Sequence, residues 1–187
     1  MTPKNKKNAA TGPLTREELE RAALRYLERF DTSEKNLRRV LRGFVQKVAK
    51  ERGADAAQGG RELTDELIAR YRESGLVSDA RFASALALGL RRRGASRRAI
   101  AEKLRTRGVA EDVAAAALVE ADRDGGGDPE LEAARAFVRR RRLGPHRAEA
   151  ERAKNHRKDL GALARAGFSF DVARRALGST GRDEEEW

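Results

Sequence analysis

The sequence predicts an all-α protein, and three observations carry that prediction. Helix-favouring alanine and arginine dominate the 187-residue chain, with 33 Ala and 32 Arg. The β-branched residues that favour strands are few, with 9 Val and 2 Ile. Apolar residues recur every three or four positions, as they do along one face of a helix. Because alanine buries little area, we expect thin cores between closely packed small helices.

The first group of helices is expected to begin at Thr15. Thr15 and Glu18 have the spacing of a capping box, in which each side chain satisfies a backbone N–H of the first turn. Ser33 is the expected cap of a second helix. A glycine-rich, flexible loop near 53–61 separates that helix from a third one. The apolar stripe of the first helix comprises Leu19, Ala22, Ala23, Tyr26, Leu27 and Phe30.

The second group is expected to start at Ser78 and to break at Gly94. Its next helix begins at Ser96 and ends at Gly108, because serine favours helix starts and glycine favours helix ends. A further helix is expected over roughly 110–121. The apolar faces of this group carry Phe82, Ala85, Leu86, Leu90, Ile100, Leu104, Val113, Ala117 and Leu118.

A third group follows the joint at 124–128, whose sequence DGGGD predicts flexibility. Pro129 suits the first position of a helix that ends near Leu143. The polar stretch after Leu143 shows no apolar period and is assigned no element until an apolar face resumes at Leu160. A last short helix carries Val172, Ala176 and Leu177.

Internal repetition sets the predicted domain organisation. A shift of 59 residues places Gly108-Val109 on Gly167-Phe168, with six identities in eleven positions. Such repeats predict an elongated, curved tandem array of three three-helix units. The expected segments are a disordered basic tail at 1–14, repeats at 15–77, 78–124 and 129–178, and a disordered acidic tail at 179–187.

The sequence contains few of the residue patterns that an enzyme site would need. The absence of cysteine excludes disulfides, a thiolate nucleophile and a cysteine zinc site. His146 and His156 are ten residues apart, which is not metal-ligand spacing on one helical face. We therefore expect no catalytic residue, no metal and no cofactor, although a carboxylate-only magnesium site, as in a nuclease, stays open. With no apolar run of about 20 residues and no secretory signal, we expect a soluble cytoplasmic protein without membrane contacts.

Clustered positive charge is the strongest functional signal. The net charge is +11, and the stretch 91–107 holds eight bases against one acid. Dense like charge repels itself unless a polyanion or an acidic partner compensates it. Guanidinium groups can also hold phosphate or carboxylate with two bonds. The candidate binding residues are Arg91, Arg92, Arg93, Arg97, Arg98, Lys103, Arg105 and Arg107, with a second cluster at Arg139, Arg140, Arg141 and Arg142.

Three motifs stand in order along the chain. The segment 75–83, GLVSDARFA, is followed by LRRRG at 90–94 and by IAEKLRTRGV at 100–109. This pattern is similar to the central repeat of the RecX family of bacterial recombination regulators. Residues 23–41 resemble its first repeat and residues 163–172 its closing one. Leu76 and Ser78 depart from the family's usual aromatic residue and aspartate.

The resemblance implies a non-enzymatic regulator built from three three-helix repeats. Family members bind the RecA recombinase filament on single-stranded DNA. They limit its growth, ATP hydrolysis, strand exchange and co-protease activity. On this hypothesis the chain acts as a monomer and its arginines contact the filament or its DNA. The alternative is a basic helical-repeat protein that binds nucleic acid directly, and binding to free DNA stays open beside either.

Overall fold

The computed structural model describes residues 12–123 and 127–178, which form helices and contain no strand. The prediction of an all-α fold is therefore confirmed. The chain divides into two compact units between Ser78 and Asp79, and each is described by itself. Residues 1–11, 124–126 and 179–187, which hold the acidic tail and most of the predicted basic tail and joint, lie outside the described residues.

The first unit contains three α-helices: α1 (Arg16–Leu27), α2 (Glu34–Arg52) and α3 (Gly60–Glu73). The predicted capping box opens α1, since Thr15 Oγ1 accepts from the Glu18 N–H at 3.2 Å and the Thr15 N–H donates to Glu18 Oε2 at 3.2 Å. The Glu18 carboxylate also accepts from Arg52 at the end of α2, at 2.8 and 3.0 Å. The hydrogen bonds from Arg52 are the main reason why the pKa of Glu18 lies below its ordinary value.

The segment predicted as a loop near 53–61 contains a short 3-10 helix, Asp55–Ala57. Ala56 is buried there and its carbonyl accepts from the Leu14 N–H at 2.7 Å. Leu14, which the sequence places at the end of the basic tail, is itself buried against the first core. That core comprises Leu14, Leu19, Ala23, Leu37, Leu41, Val45, Val48, Ala56, Leu67, Ile68, Tyr71 and Val77.

The second unit contains six α-helices among its described residues. They are α4 (Asp79–Arg92), α5 (Arg97–Arg107), α6 (Glu111–Asp122), α7 (Pro129–Arg141), α8 (Glu149–Arg165) and α9 (Phe170–Leu177). Two clusters of buried residues lie within this unit, one from α4–α6 and the connections between them and one from α7–α9 with theirs. Small side chains such as Ala83, Ala87, Ala134 and Ala173 are fully or almost fully buried in them, which agrees with the expectation of thin alanine-rich cores.

The ends of α5 and α8 show the same local geometry, as the internal repetition suggested. After α5 the Gly108 N–H donates to the Arg105 carbonyl and the Val109 N–H to the Leu104 carbonyl. After α8 the Gly167 N–H donates to the Ala164 carbonyl and the Phe168 N–H to the Leu163 carbonyl. Both glycines have positive φ, and Val109 and Phe168 are both buried. This pattern is the Schellman helix end, which caps two carbonyls and turns an apolar residue inward.

The helix α8 begins at Glu149, inside the polar stretch to which the sequence assigned no element. Its buried residues are Asp159 and Leu163, so its N-terminal half shows no apolar period. Polar contacts along the helix accompany this half: the Asn155 amide donates to the Glu151 carbonyl at 2.8 Å. No helix in the described part of the chain is long and apolar enough to cross a membrane.

A buried ion pair ties α8 to the turn that follows α7. Asp159 is 1% exposed and accepts two hydrogen bonds from Arg147, each at 2.8 Å. The backbone N–H of Gly144 donates to the same carboxylate at 2.9 Å. The hydrogen bonds from Arg147 are the main cause that holds the pKa of Asp159 below its ordinary value, against the opposing effect of burial.

Replacing Asp159 with asparagine is expected to lower the free energy of unfolding at pH 7 by about 2 kcal/mol, because charged hydrogen bonds are lost. A carboxyl group whose pKa is lowered by folding stabilises the protein above its unfolded pKa, and this contribution is lost as the pH falls through the folded pKa. The variant should therefore lose less stability than the wild type below about pH 4. Urea unfolding of both proteins between pH 3 and 7 measures the difference between their free energies of unfolding. A difference that does not change with pH would contradict a stabilising contribution from the lowered pKa of Asp159.

Candidate partner-binding surface

Arg91, the first candidate of the basic stretch, is buried rather than presented to a partner. Its side chain is 8% exposed. It donates from Nε and Nη2 to Asp122 Oδ1, at 2.8 and 2.6 Å, and from Nη1 to Glu130 Oε2 at 2.6 Å. The same Nη1 donates to the carbonyl of Ala95 at 3.1 Å. Arg91 therefore joins α4 to α6 and α7 inside the second unit.

The acidic partners of Arg91 also hold the start of α5. Glu130 accepts from the backbone N–H of Arg97 through both oxygens, at 3.2 Å each. The Arg97 guanidinium donates to Asp122 Oδ2 at 2.7 Å. A carboxylate at the first turn of a helix also interacts favourably with its positive dipole end. Arg97 is thus partly engaged, with a side chain that is still 49% exposed.

Ser96 fixes the start of α5 against the end of α8. Its side chain accepts from the Ala99 N–H at 3.1 Å, as a helix cap does, and donates to the carbonyl of Ala166 at 2.6 Å. Ser96 is fully buried. Beside it, a Cβ on Gly167 would lie 2.7 Å from Ser96 Oγ and 3.3 Å from Arg98 Cβ. Such a close approach sets the spacing between α5 and α8.

A basic groove runs along this contact between α5, α7 and α8. One depression of ≈ 410 Å³ is lined by residues that include Arg98, Lys103 and Arg165. A second, of ≈ 400 Å³, is lined by residues that include Arg141 and again Arg165. We call this surface the basic groove and define it by its four cations, Arg98, Lys103, Arg141 and Arg165, over a floor of Ala99, Ala162, Ala166, Gly167, Phe137 and Leu143.

All four cations of the basic groove are exposed. Within residues 12–123 and 127–178, none of them lies within ion-pair distance of a carboxylate. The acid that lines the groove, Glu102, is held by Arg105 with two hydrogen bonds of 2.7 and 2.9 Å. These bonds are the main reason why the pKa of Glu102 lies below its ordinary value, so the acid stays ionised and paired with Arg105. Glu102 also attracts Arg98. The groove therefore presents net positive charge over an apolar floor.

Arg165 is the groove residue that the sequence did not single out. It stands apart from both basic clusters in the chain and lies at the end of α8. The turn at Gly167 brings it beside α5, where it lines both depressions. An isolated arginine before a helix-ending Ala-Gly pair carries no charge-density signal, so only the packing of α8 on α5 reveals it.

The remaining candidates of the first cluster lie on the surface. Arg93 is exposed and donates from Nε to the carbonyl of Gly89 in the preceding helix, α4, at 2.9 Å. Arg92 and Arg107 are exposed as well. Arg105 is 75% exposed but engaged with Glu102. The basic groove thus contains Arg98 and Lys103 from this cluster.

The second cluster lies at the end of α7, and Arg139, Arg140, Arg141 and Arg142 are all exposed. The guanidinium carbons of Arg140 and Arg141 lie 6.0 and 5.6 Å from the ring centroid of Phe137. Such contacts are modest cation–π interactions. Only Arg141 of this cluster lines the groove, because four successive residues point to different sides of a helix end.

The chain is similar to a family of known proteins. A model of the second three-helix domain of RecX matches residues 78–118. Regulatory protein RecX of Myxococcus xanthus strain DK1622 is 38% identical over 162 residues, which cover 86% of this chain and 84% of that protein. The chain belongs to the RecX family. Regulatory protein RecX of Agrobacterium fabrum strain C58 is 34% identical over 59% of this chain and 56% of its own.

A further RecX relative, from Streptomyces coelicolor, is 36% identical over 66% of this chain and 65% of its own length. No solved structure shows a significant match. The matched RecX domain runs from the start of α4 into α6, so it contains Arg98 and Lys103 of the basic groove. Arg141 and Arg165 lie beyond it. These relatives carry the name of regulatory proteins rather than enzymes.

The nuclease alternative requires a cluster of carboxylates that can hold a magnesium ion. No group of three or more histidine, aspartate or glutamate side chains between 12 and 123 or between 127 and 178 could hold a metal ion. Asp122 and Glu130 are bound to Arg91. Their carboxylates are therefore already occupied by guanidinium.

Proposed function

We propose that this RecX family member binds the RecA recombinase filament on single-stranded DNA and restrains its growth, ATP hydrolysis, strand exchange and co-protease activity. The observation that carries the proposal is a basic groove in a RecX family chain, none of whose four cations forms an ion pair with a carboxylate among the described residues. A DNA-loaded protein filament offers phosphate and acidic side chains together, which such a surface can bind.

The proposal places the contact on helices of the second unit that lie in close contact with each other. Arg98, Lys103 and Arg165 extend from helices whose mutual position is fixed by Ser96, Gly167 and their close contacts. Side chains on a fixed scaffold lose less freedom on binding than side chains on loops. Arg91 is left out of the proposed contact surface because its guanidinium is enclosed by Asp122 and Glu130.

Reversing two charges in the groove is expected to weaken the effect on the filament by about tenfold or more. The variant is Lys103→Glu with Arg165→Glu. Its matched control is Arg157→Glu with Lys158→Glu, which gives the same change in net charge at two exposed positions of α8 that do not line the groove. The measurement is RecA ATPase and strand exchange on single-stranded DNA at near-physiological salt, titrated with each protein.

The control variant should stay within about twofold of the wild type, since Arg157 and Lys158 line neither depression and the effects of exposed charges are screened by salt. Equal losses in both variants would show that only net charge matters and would remove the groove from the contact. If the wild type leaves ATPase and strand exchange unchanged at saturating concentration, the regulatory function itself is wrong.

Direct binding to nucleic acid is the second candidate, and the same unpaired cations favour it. The two functions differ in salt dependence. Binding through phosphate contacts alone should weaken steeply as salt rises, in proportion to the phosphates neutralised. Binding to the protein filament should persist better, because protein contacts add apolar area and hydrogen bonds. The two functions are separated by measuring the affinities for the filament and for bare single strands from about 50 to about 300 mM salt. This range includes the physiological ionic strength of about 150 mM.

A further inference from the structure

Arg142 ends α7 in a backbone conformation that glycine favours. Its φ is 54° and its ψ is 48°, in the left-handed region. Among residues 12–123 and 127–178 it is the one non-glycine residue with positive φ. For any residue with a Cβ this conformation is unfavourable, because the Cβ approaches the following carbonyl oxygen.

The turn itself does not call for an arginine. The Arg142 N–H donates to the Arg139 carbonyl at 3.2 Å, and the Leu143 N–H donates to the Val138 carbonyl at 2.9 Å. This is the hydrogen-bond pattern that Gly108 and Gly167 make at the ends of α5 and α8. Glycine at position 142 would make both bonds without the steric cost. The side chain of Arg142, not its backbone, therefore needs an explanation.

The described residues offer no internal partner for that side chain. Arg142 is exposed, and within residues 12–123 and 127–178 its guanidinium makes no hydrogen bond or ion pair. The three residues before it in the chain are Arg139, Arg140 and Arg141, and their like charges repel it. Both the backbone conformation and the charge environment thus oppose an arginine here, and nothing in the described part of the chain offsets them.

We propose that the Arg142 guanidinium binds a phosphodiester group of nucleic acid. Arg142 lies between Arg141 and Leu143 in the chain, and both of these line the basic groove. The backbone of Arg142 therefore borders the groove, so a strand that passes over Arg141 comes within reach of the exposed Arg142 guanidinium. A guanidinium suits this ligand, since it holds two phosphate oxygens at once. The biological source of the phosphate rests on the proposed function, whereas the contact itself can be tested on an oligonucleotide.

An acidic protein surface is the less favoured partner for this residue. The residues that dominate protein interfaces are aromatic or arginine side chains buried in well-packed, desolvated pockets. The exposed large apolar residues of the described chain are Leu24, Phe30, Leu76, Val119 and Phe170, and none of them lies in α7 or in the turn after it. Phosphate contacts require only exposed donors on the surface.

The test compares Arg142→Gly with Arg142→Lys in the full chain. Arg142→Gly should raise the midpoint of thermal unfolding by about 2–4 °C, because the backbone strain is removed. Its affinity for a fluorescein-labelled oligothymidylate should fall by about tenfold at low salt. The slope of log affinity against log salt should become shallower by about 0.7, the value for one phosphate contact on a single strand. Arg142→Lys keeps the charge and the strain, so its salt slope and thermal midpoint should match the wild type.

Three results would overturn the proposal. The first is an Arg142→Gly variant with higher stability but unchanged affinity and salt slope, which would leave the side chain without a phosphate contact. The second is an unchanged thermal midpoint, which would show that the arginine is not strained. The third is a variant that loses its effect on RecA filaments while oligonucleotide binding is intact, which would assign Arg142 to protein. The remaining outcome is that the Arg142 variants show the expected stability, affinity and salt slope while the wild type has no effect on the filament. It would contradict the proposed function and leave the phosphate contact of Arg142 intact.

Discussion

Replacing Arg91 with alanine is expected to lower the free energy of unfolding of the second unit by about 3–4 kcal/mol. The reason is the loss of one partner in a buried ionic cluster, which leaves the others charged and desolvated. Asp122 and Glu130 are only 16% and 26% exposed, and both direct a carboxylate oxygen at Arg91 from 2.6 Å. Alanine would also remove the donor to the Ala95 carbonyl.

Arg93→Ala is the matched control for this prediction. Arg93 lies just beyond the end of α4, carries the same charge and is exposed, and its Nε donates to the Gly89 carbonyl of α4. Its replacement should change the stability by about 0.5 kcal/mol or less, as is usual for exposed positions. Urea unfolding followed by circular dichroism compares the two variants. Equal, small effects would show that the cluster around Arg91 contributes little to stability.

A double-mutant cycle between Arg91 and Asp122 isolates their interaction. If Arg91→Ala acts by leaving Asp122 uncompensated, then Asp122→Ala in the same chain should recover part of the loss, because fewer buried charges remain unpaired. The coupling energy should lie in the range of about 1–3 kcal/mol. Additive effects would mean that the two side chains stabilise the unit independently.

The helices could be predicted well where their signals are local. Three predicted caps each lie one residue before a helix, namely Thr15, Ser33 and Ser96. The helix α7 begins at Pro129 itself. These signals depend on hydrogen bonds within one turn, so neighbouring residues suffice to predict them. The start of α8 could not be predicted in this way. Its first ten residues lack an apolar face, and the helix is positioned by Leu163 and by the ion pair of Asp159 further along.

The basic surface was less predictable because charge density does not report burial. Arg91, Arg92 and Arg93 are one cluster in sequence, but only the first is buried. Its partners Asp122 and Glu130 lie 31 and 39 residues further along the chain, so no local pattern links them. Arg165 shows the opposite case, since it joins the groove through tertiary packing alone. The assignment of the groove cations to a partner stays a prediction.

Gly94→Ala is expected to have the largest effect on stability, about 3–5 kcal/mol, because two costs combine at this position. Gly94 has a φ of +78°, which is unfavourable for alanine. A Cβ there would also lie 2.6 Å from the backbone nitrogen of Phe137 and 2.8 Å from the carbonyl oxygen of Ala133. Both atoms belong to the backbone of α7, so the clash cannot be relieved by rotating a side chain.

Gly178→Ala separates the two costs. Gly178 ends α9 with a φ of +80°, close to the value at Gly94, and no described atom lies within 4 Å of its added Cβ. This control should therefore show only the conformational cost, about 1 kcal/mol. The remaining loss in Gly94→Ala measures how tightly α7 packs on the turn between α4 and α5. That packing also helps to set the distance from α7 to α5 across the basic groove. If the proposed function is right, Gly94→Ala should therefore weaken the effect on RecA filaments even below its unfolding temperature. A variant with full activity and a loss of stability no greater than that of Gly178→Ala would contradict both the clash and its link to the groove.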